Sequence, residues 1–191
     1  MHRRGPNCEA VILIGFGGPT AAAEVRPFLD RVLAGRPVPR ERYEEVVRHY
    51  EAFGGRSPYN AMTMRLAAAL QDQLQRMGIS VPVTAAFRNM PPFFDDALRD
   101  LKQRGIHRVF GFVLAAHRSE ASWDRYLDAI KLARERLGDD ALEIEYPPPW
   151  HDDPAFVEAV ADRARSALEH LDASAELIFT AHSIPLSMGG R

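Results

Sequence analysis

Glu176-Leu-Ile-Phe-Thr-Ala-His182-Ser183-Ile-Pro185 is the stretch around which the chain reads as organised. Leu177 to Ala181 is a short apolar run bounded by polar residues, the pattern of a strand buried on both faces of a parallel sheet. His182 and Ser183 follow at its carboxyl end, and Pro185, which has no N–H to give a ladder, stops the run. Open parallel sheets bind ligands in the crevice outside the carboxyl ends of their strands. A histidine placed there can ligate a metal through a neutral ring nitrogen or accept a proton near neutral pH. It can equally do no more than hydrogen-bond its own turn. The choice depends on whether other strands bring reactive groups to the same edge.

Four more apolar runs precede this one. Ala10 to Ile14 predicts strand one, ended by Gly15-Phe-Gly-Gly-Pro19; Val81 to Phe87 predicts strand two, His107 to Leu114 strand three and Leu142 to Tyr146 strand four. Periodic segments between them predict helices from Thr20, with Glu24 near the first turn, to Leu33, over Glu41 to Ala52, from about Asn60 to Met77, from Pro92 to Arg104, from Ser122 to Leu137 and from Pro154 to His170. In the helix after Asn60, residues Met62, Leu66, Ala69, Leu70 and Leu74 are the expected buried face. Asp152 and Asp153 precede Pro154, a common helix start, and are expected to cap it. The order predicts one α/β fold, a parallel sheet with right-handed crossovers and helices on both faces.

The glycines after strand one do not complete a dinucleotide loop. Thr20 stands where G-x-G-x-x-G needs its last glycine, and Arg88-Asn89, not an acid, follows strand two. They are expected instead to let the backbone approach something flat or bulky with no Cβ in the way.

Composition removes several function classes. The 191 residues carry a formal net charge of -2, with 24 basic and 26 acidic side chains, so no electrostatic case exists for a nucleic-acid partner. No apolar run approaches the roughly 18 residues of a membrane span, and no long apolar stretch follows the basic start, so neither a span nor a signal peptide is expected. Cys8 is the single cysteine, which excludes an internal disulfide or an iron–sulfur cluster built from this chain alone and suits a reducing cytoplasm.

Parallel strands would gather Phe16, His117 with Ser119, and His182 with Ser183 at one edge, alongside Ser57 and Tyr126. Two histidines, hydroxyls and aromatics around a glycine-lined opening suit a large flat ligand and a proton or metal step. Ser183 directly after His182 is not a nucleophile–base pair, and no G-x-S-x-G elbow occurs.

Leu13-Ile-Gly-Phe-Gly-Gly-Pro19, His49-Tyr-Glu-Ala-Phe-Gly-Gly-Arg-Ser-Pro58 with Asn60, Phe87-Arg-Asn-Met-Pro-Pro-Phe93 and Ala181-His-Ser-Ile-Pro185 together resemble the ordered motifs of ferrochelatases. The Phe-Arg-Asn and His-Ser-Ile-Pro forms are most similar to the actinobacterial coproporphyrin-type enzymes, and the likeness runs over about residues 10 to 188. The resemblance implies a Rossmann-like chelatase domain spanning residues 1–191, the N-terminal half of a longer protein, with a second similar domain absent from this chain. It implies insertion of ferrous iron, as substrate, into a porphyrin in haem synthesis. A cytoplasmic protein that is a monomer or weak dimer is expected. His182 matches the family's histidine on the metal side of the porphyrin. Ser57 and Tyr126 match positions touching the macrocycle, and Tyr50 a further pocket residue. His117 resembles a histidine of one branch of the family, and Phe16 falls where some members place a tyrosine above the metal; a phenyl ring cannot ligate iron. Alternative readings are a small homodimeric tetrapyrrole chelatase and a porphyrin-binding module without catalysis. Coproporphyrin III has four propionates, protoporphyrin two. Arg31, Arg36, Arg56 and Arg118 border the expected cleft, and guanidinium groups suit carboxylates; Arg56 is the expected propionate partner.

Overall fold

A computed structural model describes residues 8–138, 141–172 and 174–181. The chain divides into two compact units, Met1–Leu114 with Tyr126–Tyr146, and Ala115–Arg125 with Pro147–Arg191.

The first unit holds a four-stranded sheet of β1 (Ala10–Gly15), β2 (Val83–Phe87), β3 (Arg108–Val113) and β4 (Glu143–Glu145). All its pairings are parallel and the order is β2-β1-β3-β4. Every residue of β1 is buried, as its unbroken apolar run requires. Leu13 lies opposite Ala85 and Phe112, and Ile14 opposite Ala86 and Val113, so alternate residues feed two separate layers. Helices α1 (Val25–Leu33), α2 (Arg40–Ala52) and α3 (Tyr59–Arg76) connect β1 to β2; α4 (Phe94–Gln103) connects β2 to β3, and α5 (Arg125–Leu137) leads towards β4. Val11, Leu13 and Ala85 pack with Ala67 of α3. The β1-to-β2 and β2-to-β3 crossovers run in opposite directions across the sheet, so right-handed connection places α3 and α4 on opposite faces. This is the expected α/β arrangement.

Local boundaries have local causes. The side chain of Gln71 accepts from Val83 N–H at 2.8 Å and donates to the Val81 carbonyl at 2.9 Å, so β2 begins only after Pro82. Thr20 donates from its backbone N–H and its hydroxyl to Glu24 Oε2, at 2.7 and 2.8 Å, closing the turn that precedes α1. α5 starts later than its pattern suggests because a one-turn π-helical segment, Glu120–Asp124, precedes it.

The inward face of α3 differs from the expected one. Asn60, Thr63 and Ala67 are buried, Leu70 and Leu74 half-buried, whereas Met62, Leu66 and Ala69 are exposed. The rotation follows from Asn60, whose amide oxygen accepts from Gly18 N–H at 2.8 Å and whose amide nitrogen donates to the Gly18 carbonyl at 3.0 Å. A satisfied buried amide outweighs apolar periodicity, because leaving Gly18 without partners in a dry site costs more than exposing a methionine.

The expected fifth strand is corrected too. Residues 177–181 form no strand, and Ile178 and Phe179 are 83% and 81% exposed. An apolar run becomes a strand only where a neighbouring edge takes its backbone groups and layers cover both faces; among the described residues neither is supplied to it. His182, Ser183 and Pro185 lie outside the described residues. In the second unit, α6 (Pro154–Leu168) starts as expected, Asp153 accepting from the N–H groups of Ala155 and Phe156 at 2.9 and 3.3 Å. Among the described residues no helix is long and apolar enough to cross a membrane.

The two readings of α3 separate experimentally. Asn60→Ala is expected to lower unfolding free energy by about 1–3 kcal/mol in denaturant titration, the cost of orphaning buried polar groups. Met62→Ala is expected to stay within about 0.5 kcal/mol of the parent.

Candidate functional site

In the order β2-β1-β3-β4, neighbouring connections leave in opposite directions at β1 and β3, and Gly15-Phe-Gly-Gly-Pro19 emerges from the carboxyl end of β1 at that switch point. The loop is fixed from three sides. Phe16 N–H donates to the Tyr59 hydroxyl at 3.2 Å, and the Phe16 carbonyl accepts from the backbone and side-chain nitrogens of Asn89, both at 3.0 Å. Asn60 holds Gly18, and Ser57 N–H donates to the Pro19 carbonyl at 2.7 Å.

The glycines of this loop have a different purpose from the expected one. They make room for the chain's own side chains. A Cβ at Gly17, whose φ is +80°, would stand 2.8 Å from Phe87 Cβ, and one at Gly18 would stand 2.6 Å from Ser57 Cβ.

The end of α2 brings the next residues to this loop. Gly55 N–H donates back to the Tyr50 carbonyl at 2.7 Å, with Gly55 at φ +67° and a hypothetical Cβ only 2.4 Å from Ala22 Cα. This left-handed close pins Tyr50 and turns the chain directly into Arg56 and Ser57. The Ser57 hydroxyl accepts from Tyr59 N–H at 3.2 Å, serving the first turn of α3. A cavity of about 290 Å³ results, lined by His49, Tyr50, Phe53, Arg56, Ser57 and Pro58. Phe53 is 82% exposed, a large ring held at the surface of that cavity.

Tyr50 and Phe16 are joined through the core. Phe28 makes edge-on contacts with both rings, at centroid distances of 5.9 Å to Phe16 and 5.8 Å to Tyr50. Phe28 is itself buried among Val25, Leu29, Val47 and Met90. Such aromatic pairs contribute about 0.5–1.5 kcal/mol each beyond burial, so the β1 loop and the cavity wall are coupled through rigid rings.

The four arginines expected at the cleft divide sharply. Arg31 donates from Nε to the Asn89 carbonyl at 2.7 Å and Arg36 to the carbonyls of Leu33 and Val32 at 3.1 Å each. Arg118 pairs with Asp124 at 3.0 Å. Among the described residues the Arg56 guanidinium takes no hydrogen bond or ion pair, and it faces the same cavity as Tyr50 and Ser57.

Phe16, Tyr50, Arg56, Ser57 and Tyr126 all belong to the first unit, with Tyr126 the least accessible at 5% exposure. His117 belongs to the second, exposed in the loop after β3. His182 falls outside the described residues. Among those described, no three His, Cys, Asp or Glu side chains cluster to hold a metal. The structural roles of Asn60, Asn89 and Tyr59 were missed by sequence reasoning. The available signal was a polar residue directly after each loop break, in segments otherwise turning apolar. A wholly apolar cavity of about 410 Å³ lies apart from these residues, between β1, β3 and α3, lined by Val11, Leu13, Leu66, Leu70, Phe110 and Phe112 among others.

Burial raises the ionisation of every one of the five tyrosine phenols above the ordinary value of 10, Tyr146 to about 12. Tyr50 is therefore a neutral O–H donor at physiological pH. A raised phenol stabilises the fold fully below the unfolded pKa near 10, and that contribution is lost as pH rises through the folded values. Alkaline titration is expected to show phenolate absorbance lagging behind free tyrosine and then rising together with loss of helical circular dichroism. Five phenols titrating near pH 10 in a still-folded chain would contradict this packing.

Comparison with known proteins bears on the whole chain. The family profile described as Ferrochelatase matches residues 8–190. The chain is 38% identical over 183 residues to the coproporphyrin III ferrochelatase of Mycobacteroides abscessus, covering 96% of this chain and 54% of the relative. It is 39% identical over 187 residues to the protein of the same name from Mycolicibacterium smegmatis, covering 96% and 55%. It is 38% identical over 186 residues to the ferrochelatase of Rhodopirellula baltica, covering 96% and 53%. The chain thus spans about half the length of these curated relatives. A profile match that begins two residues before β1 and takes in the Gly17 loop, the Tyr50–Ser57 cavity and Asn89 means that the chain belongs to the ferrochelatase family.

Proposed function

We propose that this chain is the N-terminal chelatase portion of an enzyme that inserts ferrous iron into coproporphyrin III, and that the Tyr50–Arg56–Ser57 cavity receives the edge of the macrocycle. The observation that carries the proposal is the division among the arginines. Arg31, Arg36 and Arg118 are occupied within the fold, whereas Arg56 is unengaged among the described residues, beside an aromatic ring and a hydroxyl. A guanidinium so placed suits a carboxylate through paired, charge-assisted hydrogen bonds. The neutral Tyr50 phenol and the exposed Phe53 ring suit a flat apolar body bearing such carboxylates. Four propionates would make more use of this cation than two. The names of the actinobacterial relatives agree with that choice.

Insertion exchanges two pyrrole N–H protons for one Fe²⁺ and releases both protons. A group at the metal side must accept a proton or hold iron as it sheds water, and an imidazole near its ordinary pKa can do either. His182 is the residue assigned to that step. Phe16, His117 and Tyr126 complete the assigned macrocycle contacts. The Phe16 phenyl group offers no lone pair, so it can shape the pocket but cannot ligate iron. The single cysteine suits the reducing cytoplasm in which ferrous iron persists, and a monomer or weak dimer is the assembly proposed.

Steady-state kinetics with both porphyrins, on the full-length gene product under anaerobic Fe²⁺, test the reading. Coproporphyrin III is expected to have the higher kcat/KM, and Arg56→Ala to raise its KM about tenfold with kcat nearly unchanged, the signature of lost uniform binding. Preference for protoporphyrin, or unaltered coproporphyrin binding by Arg56→Ala, overturns it. His182→Ala is expected to abolish insertion while porphyrin binding survives; wild-type turnover in that variant sinks the assignment. Porphyrin binding without any metallation by the unsubstituted protein would identify a binding module instead.

A further inference from the structure

Two exposed imidazoles meet within the second unit. The rings of His117, in the loop after β3, and His151, in the turn before α6, lie 4.9 Å apart between centroids at an interplanar angle of 29°. Neither position is left to chance by its surroundings. The turn bearing His151 is held by Asp153 capping α6 and by Trp150, whose ring stands edge-on to Phe156 at 4.6 Å. The two loops are joined by Trp150 N–H donating to the Ala116 carbonyl at 3.2 Å. Beyond His117, the Ser119 and Ser122 hydroxyls share a hydrogen bond of 2.8 Å.

The spacing suits a cation between them, and no unbalanced neighbouring charge in the sequence opposes one. The nearest sequence neighbour with a positive charge, Arg118, is paired with Asp124 at 3.0 Å, so its charge is balanced. A metal–nitrogen bond of about 2.0–2.1 Å puts an imidazole centroid about 3.2 Å from the ion, so two cis imidazoles stand about 4.5–5.2 Å apart between centroids. The observed 4.9 Å lies inside that interval. As they stand the two rings are stacked, with their lone pairs in nearly parallel planes, so a shared ion requires the exposed side chains to turn about their torsions until the lone pairs converge. Imidazole selects borderline transition cations, whereas Mg²⁺ and Ca²⁺ demand oxygen.

We propose that His117 and His151 form a bis-imidazole site for a borderline divalent transition cation, the class that includes Fe²⁺, Co²⁺, Ni²⁺ and Zn²⁺. Among the described residues no third His, Cys, Asp or Glu joins them, so water completes the shell. An ion held this way is weakly retained and readily passed on. The site does not require His182; it shares His117 with the macrocycle contacts proposed above, and a metal titration made without porphyrin keeps its failure distinguishable from failure of the chelatase reading.

Co²⁺ is the probe, titrated into the His182→Ala protein and followed by calorimetry and by paramagnetic broadening of histidine ring protons. The expected result is early broadening of His117 and His151 together, uptake that excess Mg²⁺ does not displace, and affinity about tenfold or more weaker in either His117→Ala or His151→Ala. His107→Ala, which alters an exposed histidine of the other unit, is expected to leave uptake unchanged. The proposal is overturned if Co²⁺ does not bind, if the double variant binds as well as its parent, or if only one of the two rings is affected. Because both side chains are exposed, circular dichroism is expected to match across the variants.

Discussion

The contact on which the first unit depends is the pair of hydrogen bonds between the Asn60 side-chain amide and the backbone of Gly18. One buried amide satisfies both polar groups of a residue in the loop that leaves β1, and it does so from the first turn of α3. Both the loop path and the rotation of a long helix are thereby set by a single side chain. Asn89 repeats the device from the far side, closing on the Phe16 carbonyl after β2, and is itself held through its carbonyl by Arg31. The glycine-rich loop is consequently a rigid structural joint. Its missing Cβ atoms make room for Ser57, Phe87 and Met90.

That rigidity gives the cavity its chemistry. The left-handed close at Gly55 delivers Tyr50, Arg56 and Ser57 to one place, and the edge-on Phe16–Phe28–Tyr50 contacts tie that wall to the β1 loop. Burial keeps Tyr50 protonated, and among the described residues Arg31, Arg36 and Arg118 have partners within the fold whereas Arg56 has none. Sequence could place four arginines near a cleft; it could not say which had already been used to hold backbone carbonyls. Position along the chain does not reveal hydrogen-bond partners some sixty residues away, as with Arg31 and Asn89.

The apolar groove beneath β1 and β3 and the unburied run at 177–181 make a related point. Both are apolar surfaces that composition alone assigns to a core. Whether such surface is buried depends on what covers it, and burial is a property of the assembled layers. The same reasoning explains the outward turn of Met62 and Leu66. Their helical spacing is correct, but the energetic term that fixes the helix is polar and lies at Asn60.

By itself the sequence determined the elements from β1 to α6 and their order. Unbroken apolar runs fixed β1 and β3, Gly35 and the adjacent prolines separated α1 from α2, Asp153 started α6, and alternation of strand with helix fixed a parallel sheet. These are local effects, set by backbone conformation and by neighbours a few residues away. Four ordered motifs likewise carried the family. Only the tertiary structure decided which face of α3 turns inward, what the glycines make room for, which arginine among the described residues lines the cavity without a partner, and that residues 177–181 do not form a strand. Each of those outcomes rests on a partner distant in the chain, and a buried polar group or an apolar face takes its energy from the partner it meets.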